Sequence, residues 1–490
     1  MKPVLLIDFG STYTKVTAVD LDEEKLLGTA ASFTTIETDI NEGLENAVKL
    51  LEEKTGKLDF VERYACSSAA GGLKMISSGL VPELTAEAAK MASLGAGAKI
   101  MKVYSFHLTE DDADEIRELN PDIFLLVGGI DGGNDECIIH NAEVIAGIDL
   151  PFPVIVAGNR TASRKCKELL EATHQVYVCE NVMPKFDKLN IEPTQKQIRD
   201  IFLKRIITAK GLTTATELVS GIVNPTPAAV LRGIRLLAEG TDEEDGIGEL
   251  IAVDVGGATT DVYTICDGRP TKPGTIFKGL PEPYAKRTVE GDIGMRYSIK
   301  GIVEAAGLGR VAELAELKPG KVEEMVEHLS VHTDEVPTSE PWEKLDYALA
   351  SMAIDTGVDR HAGHIEEVYT TMGMNYIQTG KDLSNIHKIV VTGGSLIHTK
   401  KTDEIAAHAL YDSYSPFSLR PTRANILVDR SYIIASMGLL AEHYPLVALH
   451  IMKKELEDMG TKMCEVMPTQ ATGSDFTPDM GGGCGSCHGF

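Results

Sequence analysis

The sequence predicts an α/β protein made of two similar halves, with a small α/β domain and a helical segment inserted into them. The halves are predicted by one pattern that occurs twice, at residues 4–19 and 251–264: an apolar strand ending in an acid, a glycine-containing turn and a β-branched strand. The inserted domain is predicted by strands and helices that alternate between about residues 80 and 181, an order that needs its own parallel sheet. With 490 residues, 43% of them hydrophobic, the chain is long enough for two or more cored domains.

The second copy of the pattern, IAVDVGGATTDVYT, carries the clearest ligand chemistry. Gly256 and Gly257 lack Cβ atoms, so a phosphate can approach the turn and receive backbone N–H groups there. Ala258 continues the turn and Thr259 adds a hydroxyl donor. Asp254 ends the first strand, where it is placed to hold a magnesium ion through water.

The first copy, VLLIDFGSTYTKVTAV, repeats this arrangement at the start of the chain. Asp8 ends the strand, Gly10, Ser11 and Thr12 form the turn, and Lys15 follows as a point charge for a phosphate oxygen. For either copy alone, an ordinary hairpin with a solvated aspartate is the alternative. Two copies half a chain apart indicate two homologous halves that grip one nucleotide from both sides.

A third segment, IHKIVVTGGSLIHTK, places Gly393, Gly394 and Ser395 after an apolar strand. In this order the three segments resemble the two phosphate motifs and the adenosine motif of the superfamily of actin, sugar kinases and heat-shock chaperone ATPases. The resemblance implies an actin-like ATPase fold of two ribonuclease-H-like halves, with ATP and Mg²⁺ as cofactors. It implies that Asp8 and Asp254 are the metal-associated acids. It implies nucleotide contacts from Gly10, Ser11, Thr12, Lys15, Gly256, Gly257, Ala258, Thr259, Gly393, Gly394 and Ser395. The residue that orients the attacking water stays open between Asp8, Asp254 and Asp261.

These segments divide the chain into five parts. Residues 1–78 form the first ribonuclease-H-like half, 79–182 the inserted α/β domain, and 183–248 a helical connection that completes the first half. Residues 249–460 form the second half, with a helical insertion at about 300–380. Residues 461–490 are rich in Gly, Ser, Thr and Pro, which predicts a flexible tail.

Four further motifs have two interpretations each. The glycine-rich segment 122–134 is a ligand loop or a tight turn, and Gly291, Asp292 and Arg296 lie near the nucleotide or in a loop packed away from it. His361 and His364 form a metal pair or lie on a solvated helix face, and the second interpretation is preferred. The tail residues Cys484, Cys487 and His488 bind a soft metal ion or belong to a disordered tail.

Composition excludes several classes of partner. The net charge of −26 argues against nucleic acid and anionic membranes. No apolar run approaches the roughly 20 residues that a membrane-spanning helix needs, and the start does not have the pattern of a secretion signal. Eight scattered cysteines are typical of a reduced protein. We therefore expect a cytoplasmic location, whereas the oligomeric state stays open.

Taken together, DFGSTYTKVTAVD, the inserted domain, LLVGGIDGGN, VDVGGATTDVY, EGDIGMRYS and VVTGGSL resemble the glutamate mutase accessory (MutL/GlmL) family. The resemblance covers nearly the whole chain except the tail. It implies a partner, an adenosylcobalamin-dependent mutase of the glutamate mutase or ornithine aminomutase type. It further implies an ATP-driven chaperone that lets damaged cobalamin leave this mutase. The inserted domain is our own candidate for the surface that contacts the mutase.

Three rival functions use the same predicted site. A small-molecule kinase would turn over ATP only with its substrate, and an ATP-dependent hydantoinase-like amidohydrolase would cleave cyclic amides. A filament protein would polymerise with nucleotide. The ATP site alone does not choose among them, because one fold hosts many functions.

Overall fold

The computed structural model describes residues 1–10, 13–33, 40–68, 73–186, 188–209, 223–336, 338–371 and 373–464. Its strands are β1 (Pro3–Phe9), β2 (Tyr13–Asp20), β3 (Lys25–Phe33), β4 (Glu62–Ser67), β5 (Lys74–Gly79), β6 (Lys99–Ser105), β7 (Ile123–Leu126), β8 (Val154–Val156), β9 (Val176–Val178), β10 (Val223–Pro225), β11 (Leu250–Val255), β12 (Thr260–Ile265), β13 (Thr275–Lys278), β14 (Ala285–Glu290), β15 (His364–Thr370), β16 (Gly373–Thr379), β17 (Lys388–Thr392), β18 (Arg423–Val428) and β19 (Glu457–Met463).

Its helices are α1 (Ile40–Thr55), α2 (Glu87–Gly95), α3 (Glu110–Leu119), α4 (Glu136–Ala146), α5 (Arg160–Leu170), α6 (Glu192–Ala209), α7 (Thr226–Glu239), α8 (Ile299–Ala306), α9 (Leu308–Leu314), α10 (Pro319–Val331), α11 (Glu340–His361), α12 (Gly394–Ile397), α13 (Thr402–Ala406), α14 (Ile434–Leu440) and α15 (Pro445–Glu455). One π-helical turn, Pro82–Ala86, precedes α2. No helix among the described residues is long and apolar enough to cross a membrane.

The two large sheets share one topology. The first has the order β10-β4-β1-β2-β3 and the second β14-β12-β11-β17-β18-β19. In each, the central strand pairs antiparallel with the strand that follows it and parallel with a strand from later in the chain. This is the strand arrangement of a ribonuclease-H-like half, so the predicted fold class is confirmed.

The halves meet on a shared apolar core. Alternate residues of β1 and β11 face it, among them Leu6 and Ala252, and both helices α7 and α14 pack into it. A Cβ on Gly438 would lie 1.8 Å from the carbonyl oxygen of Ala229, so only glycine permits this close crossing of α14 and α7. The crossing joins the halves behind the central strands and leaves the strand ends free to form a site.

The inserted domain is a five-stranded parallel sheet in the order β6-β5-β7-β8-β9. Helices α3, α4 and α5 cover one face. On the other face, α2 and α6 pack in a core that continues to β1 and α1 of the first half. The first strand of this sheet, β5, crosses the predicted boundary between the first half, 1–78, and the inserted domain, 79–182. The division into domains stays a proposal.

Three segments differ from the sequence expectations. The end of the predicted helical insertion is the β15–β16 hairpin, which has the β-branched and aromatic residues that strands favour. Within the predicted helical connection, β10 pairs with β4, because Pro225 and Pro227 suit a strand end and a helix start but no helix interior. Residues 461–463 of the predicted tail are the end of β19.

Candidate nucleotide site

The turns of the two predicted hairpins face one cleft between the halves, with a volume of about 1870 Å³. Most predicted site residues line it, namely Asp8, Gly10, Lys15, Asp254, Gly256, Gly257, Ala258, Thr259, Asp261, Gly394 and Ser395. Gly393 lies behind this lining, and Ser11 and Thr12 lie outside the described residues. Residues from three distant segments therefore line one cleft.

Asp8 is fixed by neighbours from two other elements. Its side chain is buried, and its Oδ1 accepts hydrogen bonds from the Thr226 hydroxyl at 2.6 Å and the Cys66 thiol at 3.4 Å. Burial, and after it the charge of Asp8, raises the pKa of the Cys66 thiol, which therefore stays protonated as a donor. Thr226 begins α7, so the helix that crosses to the second half also positions this carboxylate.

Asp254 has an unusual environment for a carboxylate. Its Oδ1 is buried and has no hydrogen-bond partner among the described residues. Burial, reinforced by the nearby charges of Asp261, Asp429 and Asp8, raises the pKa of Asp254 to about 7, although Lys15 opposes the shift. An unpartnered carboxylate oxygen beside other acids fits a hard divalent cation such as Mg²⁺.

Asp261 stands opposite Asp254 on the paired strand and has its own cation. The Arg287 guanidinium donates to Asp261 Oδ1 through Nη2 at 2.6 Å and Nε at 2.9 Å, and its Nη1 donates to the Leu94 carbonyl at 3.1 Å. The Thr259 hydroxyl donates to the other oxygen of Asp261 at 3.2 Å. Asp261 is thus held as an ion-pair partner, and catalysis by it would require release from Arg287.

Lys15 is the cation of the first hairpin, and its ammonium lies 3.3 Å from the centre of the Tyr432 ring. Tyr432 has a left-handed φ of 52°, which is uncommon for a bulky residue and indicates local strain. A cation–π contact satisfies the charge without fixing it in a salt bridge. Lys15 can therefore exchange this ring for a phosphate oxygen.

Asp429 is a buried acid close to Asp254 that was not predicted from the sequence. It is buried and accepts hydrogen bonds from the backbone N–H groups of Ile433 and Ile434 and from the Thr392 hydroxyl at 3.2 Å. Burial raises its pKa, although these donors oppose the shift. The signal for it was present, because Asp429 ends the apolar strand β18 just as Asp8 and Asp254 end theirs.

The glycine turn of the second half is supported by the loop at 291–297. The backbone N–H groups of Met295, Arg296 and Tyr297 donate to the carbonyls of Gly256 and Gly257 at 2.9–3.0 Å. Arg296 lines the cleft, whereas Asp292 pairs with Arg360 at 2.8 Å. The loop of Gly291, Asp292 and Arg296 therefore contacts the site through its C-terminal end.

Gly393 brings the third motif against the second hairpin. Its φ is 111°, and a Cβ there would lie 2.4 Å from the carbonyl oxygen of Val255. Gly394, the next residue, begins α12, lines the cleft and has open space where a Cβ would be. The first glycine thus permits a close backbone approach, and the second leaves room at the cleft wall.

Of the remaining candidate motifs, the two that the structure describes lie away from the cleft lining. His361 is buried and contacts the hydroxyls of Thr264 and Thr288 at 2.9 and 2.8 Å, so it neither pairs with His364 nor lies on a solvated face. The loop after β7 is held by Asn159, whose side chain bonds the backbone of Gly132, Gly133 and Asn134. Cys484, Cys487 and His488 lie outside the described residues.

Solved structures with a similar course of the chain include several sugar kinases and one reactivase. The xylulose kinase from Lactobacillus acidophilus is 10% identical, with 94% of each chain covered and a TM-score of 0.34. A glycerol dehydratase reactivase is 10% identical, with 90% of this chain and 99% of that chain covered and a TM-score of 0.32. Similarity this low carries no function from those proteins to this chain.

Sequence relatives are far more similar. Protein MutL of Clostridium tetanomorphum is 50% identical over 459 residues, which cover 93% of this chain and 99% of that protein. The family model described as MutL protein matches residues 4–456, which include both hairpins, the inserted domain and the third motif. The predicted resemblance is thereby confirmed, and the chain belongs to the MutL protein family.

Proposed function

We propose that the protein binds and hydrolyses ATP and acts as a reactivating chaperone for an adenosylcobalamin-dependent amino-acid mutase, promoting release of damaged cobalamin. The mutase would be of the glutamate mutase or ornithine aminomutase type. The observation that carries the nucleotide part is that two acid-tipped hairpins from separate halves face one cleft. Membership of the MutL family, with its resemblance to glutamate mutase accessory proteins, supports the mutase as partner.

The cleft residues supply complementary contacts for a nucleotide. The Gly256 N–H donates within the turn to the Thr259 carbonyl at 2.9 Å, so the backbone N–H groups that the turn would offer to phosphates are those after Gly256. Lys15 offers a charge from the opposite wall. Asp8 and Asp254 are the residues that would hold Mg²⁺, which when bound neutralises phosphate charge and orients the phosphates. Asp254 must be ionised for this, so nucleotide and metal binding would displace its proton.

The packing supports a coupling between this cleft and the inserted domain. The inserted domain shares a continuous core with the first half, so the two should move together. ATP that touches both halves would favour their closed arrangement, and loss of the γ-phosphate would remove one bridge between them. Arg287 reaches from the cleft to Leu94 of α2, on the face of the inserted sheet that packs against the first half. Closure would thereby reorient the inserted domain, the proposed contact for the mutase.

A rescue assay tests this proposal. A cobalamin-dependent aminomutase is inactivated by turnover and then given this protein, ATP, Mg²⁺ and fresh adenosylcobalamin. We expect activity to return with ATP and not without it. The Asp254→Asn variant should fail, whereas Asp242→Asn, the same change at an exposed loop position, should restore activity like the unmodified protein.

Three results would overturn the proposal. Absence of recovery with glutamate and ornithine mutases, while ATP is hydrolysed, would remove the chaperone function. Hydrolysis that begins only when a sugar or a carboxylic acid is added would instead establish a small-molecule kinase, and cleavage of a cyclic amide would establish an amidohydrolase.

A further inference from the structure

We propose that His328, His332 and Glu335 form a binding site for a divalent transition metal of the zinc class. His328 lies in the last turn of α10, His332 caps that helix one turn later, and Glu335 follows in the next turn of the chain. One potential ligand atom from each lies within 4.8 Å of the other two. Among the described residues this is the group of three His, Cys, Asp or Glu side chains with such spacing.

The donor set selects the class of metal. Two imidazoles and one carboxylate suit Zn²⁺, Co²⁺ and Ni²⁺ better than Mg²⁺ or Ca²⁺. Histidines at i and i+4 face the same side of a helix, the spacing by which helical sites chelate zinc. Three protein ligands leave one position of a tetrahedral ion open to water.

The three ligand atoms lie within 4.8 Å of one another, so they must approach further to hold one ion. Ligand atoms on one tetrahedral zinc ion lie about 3.3 Å apart, given Zn–N distances of about 2.0–2.1 Å. The rings of His328 and His332 are stacked with their centres 4.2 Å apart, and the exposed Glu335 side chain can rotate toward them at small cost.

One imidazole is already oriented as a ligand. His332 Nδ1 lies 3.0 Å from the backbone carbonyl oxygen of His328, so this nitrogen carries the proton and Nε2 keeps its lone pair. Such a hydrogen bond from the non-ligating nitrogen is the usual outer-shell support of a metal-bound histidine. His328 Nε2 already lies 2.9 Å from a Glu335 carboxylate oxygen.

The site adjoins the nucleotide cleft. Glu335 lines the cleft, and its backbone carbonyl accepts a hydrogen bond from Arg296 Nε at 3.2 Å. The backbone N–H of Arg296 in turn donates to Gly257 in the phosphate turn at 2.9 Å. Metal binding would therefore fix Glu335, which is linked through Arg296 to Gly257, a proposed phosphate contact.

The chain contains a local reporter. Its single tryptophan, Trp342, has its ring centre 5.4 Å from that of His328. Paramagnetic Co²⁺ bound at the cluster should quench Trp342 emission, and a tetrahedral Co²⁺ site should show its visible ligand-field bands. The readout needs neither nucleotide nor mutase, so it is independent of the proposed function.

The test uses the full chain carrying Cys484→Ser and Cys487→Ser, which removes the thiols of the tail as competing ligands. Equilibrium dialysis should give one bound Zn²⁺ per chain, and Co²⁺ should quench Trp342 with the same stoichiometry. His332→Gln and Glu335→Gln should each weaken Co²⁺ binding at least ~10-fold, since each removes a ligand. His387→Gln, at an exposed histidine far along the chain, should leave the titration unchanged.

Two outcomes would overturn the proposal. One is a folded protein, judged by circular dichroism, whose Trp342 emission does not respond to Co²⁺. The other is equal Co²⁺ affinity in His332→Gln, Glu335→Gln and His387→Gln. Either would mean that His328 and Glu335 form only a hydrogen-bonded pair at the end of α10.

Discussion

Asp254 and Asp261 are direct partners across the β11–β12 pair, and only Asp261 has a cation of its own. Arg287 neutralises Asp261, whereas the buried Oδ1 of Asp254 has no hydrogen-bond partner within the described ranges. The pKa of Asp254 rises to about 7 mainly because of burial and secondarily because of Asp261. Within this hairpin, Asp261 is paired with a cation, whereas Asp254 has a buried oxygen that could bind one.

The raised pKa of Asp254 predicts a stability cost that grows with pH. As pH rises from about 4 to about 7, the unfolded chain releases this proton before the folded one does, so Asp254 lowers stability progressively. Asp254→Asn keeps the shape and removes the charge. We expect its melting temperature to exceed that of the unmodified protein by a few °C at pH 8, with a smaller gain at pH 5.5, while ATP hydrolysis is lost. An increase in melting temperature that is the same at pH 5.5 and pH 8 would contradict a raised pKa of Asp254.

Arg287 should stabilise the fold chiefly because it pairs with the buried charge of Asp261. Its side chain is 5% exposed and that of Asp261 is 13% exposed. Arg287→Met leaves Asp261 unpaired and should destabilise the fold by about 3–5 kcal/mol. Adding Asp261→Asn to that variant should recover much of the loss, since no buried charge then remains unpaired. Urea denaturation midpoints measure both effects, and a double variant no more stable than Arg287→Met would exclude this explanation.

Thr226 should act on ATP hydrolysis through Asp8. Its hydroxyl donates to Asp8 Oδ1 at 2.6 Å, so Thr226→Val removes the bond but keeps the shape of the side chain. We expect the maximal hydrolysis rate to fall about 10-fold, the equivalent of one lost hydrogen bond to a charged group. Thr226→Ser keeps the hydroxyl and should stay within about twofold of the unmodified protein. Equal rates for the two variants would mean that Asp8 needs no support from α7.

Lys15 should contribute more to ATP binding than a second lysine of the same cleft. Lys15→Met removes the proposed phosphate contact and should raise the Kd for ATP at least ~10-fold, because hydrogen bonds between charged groups contribute about 1.5–3 kcal/mol. Lys54 also lines the cleft, but its ammonium donates to the Thr29 carbonyl at 2.8 Å. Lys54→Met, with the same loss of charge, should change the Kd less than threefold by calorimetric titration. Equal increases in Kd for Lys15→Met and Lys54→Met would indicate that Lys15 acts only through the overall positive charge of the cleft and makes no specific phosphate contact.

Substitutions of the two adjacent glycines of the third motif should affect different properties, stability at Gly393 and ATP binding at Gly394. Gly393→Ala places a Cβ against the carbonyl of Val255 at a φ of 111°, so the melting temperature should fall by several °C. Gly394→Ala meets open space and should leave the melting temperature unchanged, while its methyl group narrows the cleft and weakens ATP binding. A stable Gly393→Ala protein would show that the close approach to β11 is not required.

The fold was largely predictable because its determinants are local and repeated. Alternating apolar residues, acid-tipped strand ends and glycine turns fix each hairpin within about 15 residues, and the structure confirms the pairing of both hairpins. The β15–β16 hairpin was missed because it follows a 22-residue helix within the same acidic stretch. The short strand β10 was missed because its pairing with β4 links residues about 160 positions apart.

The sequence motifs predicted which segments form the candidate site, but they did not predict which charged residues pair there. The sequence placed Asp8 and Asp254 at strand ends and Asp261 at the start of the following strand, and it left open which of the three orients the attacking water. Only the fold shows that Arg287, 26 residues beyond Asp261, neutralises that acid and not Asp254. The proximity of Asp429 to Asp254 could not be predicted either, because the two residues are 175 positions apart in the sequence.

Release of damaged cofactor is the most direct measurement of the proposed activity. A purified aminomutase is loaded with cyanocobalamin in place of the damaged cofactor, freed of excess, and mixed with this protein, Mg²⁺ and nucleotide. The corrinoid that passes a size-exclusion filter is then quantified by its visible absorbance. We predict release with ATP by the unmodified protein, and none with Asp8→Asn or Asp254→Asn. Corrinoid that stays on the mutase while ATP is hydrolysed at full rate would contradict the account.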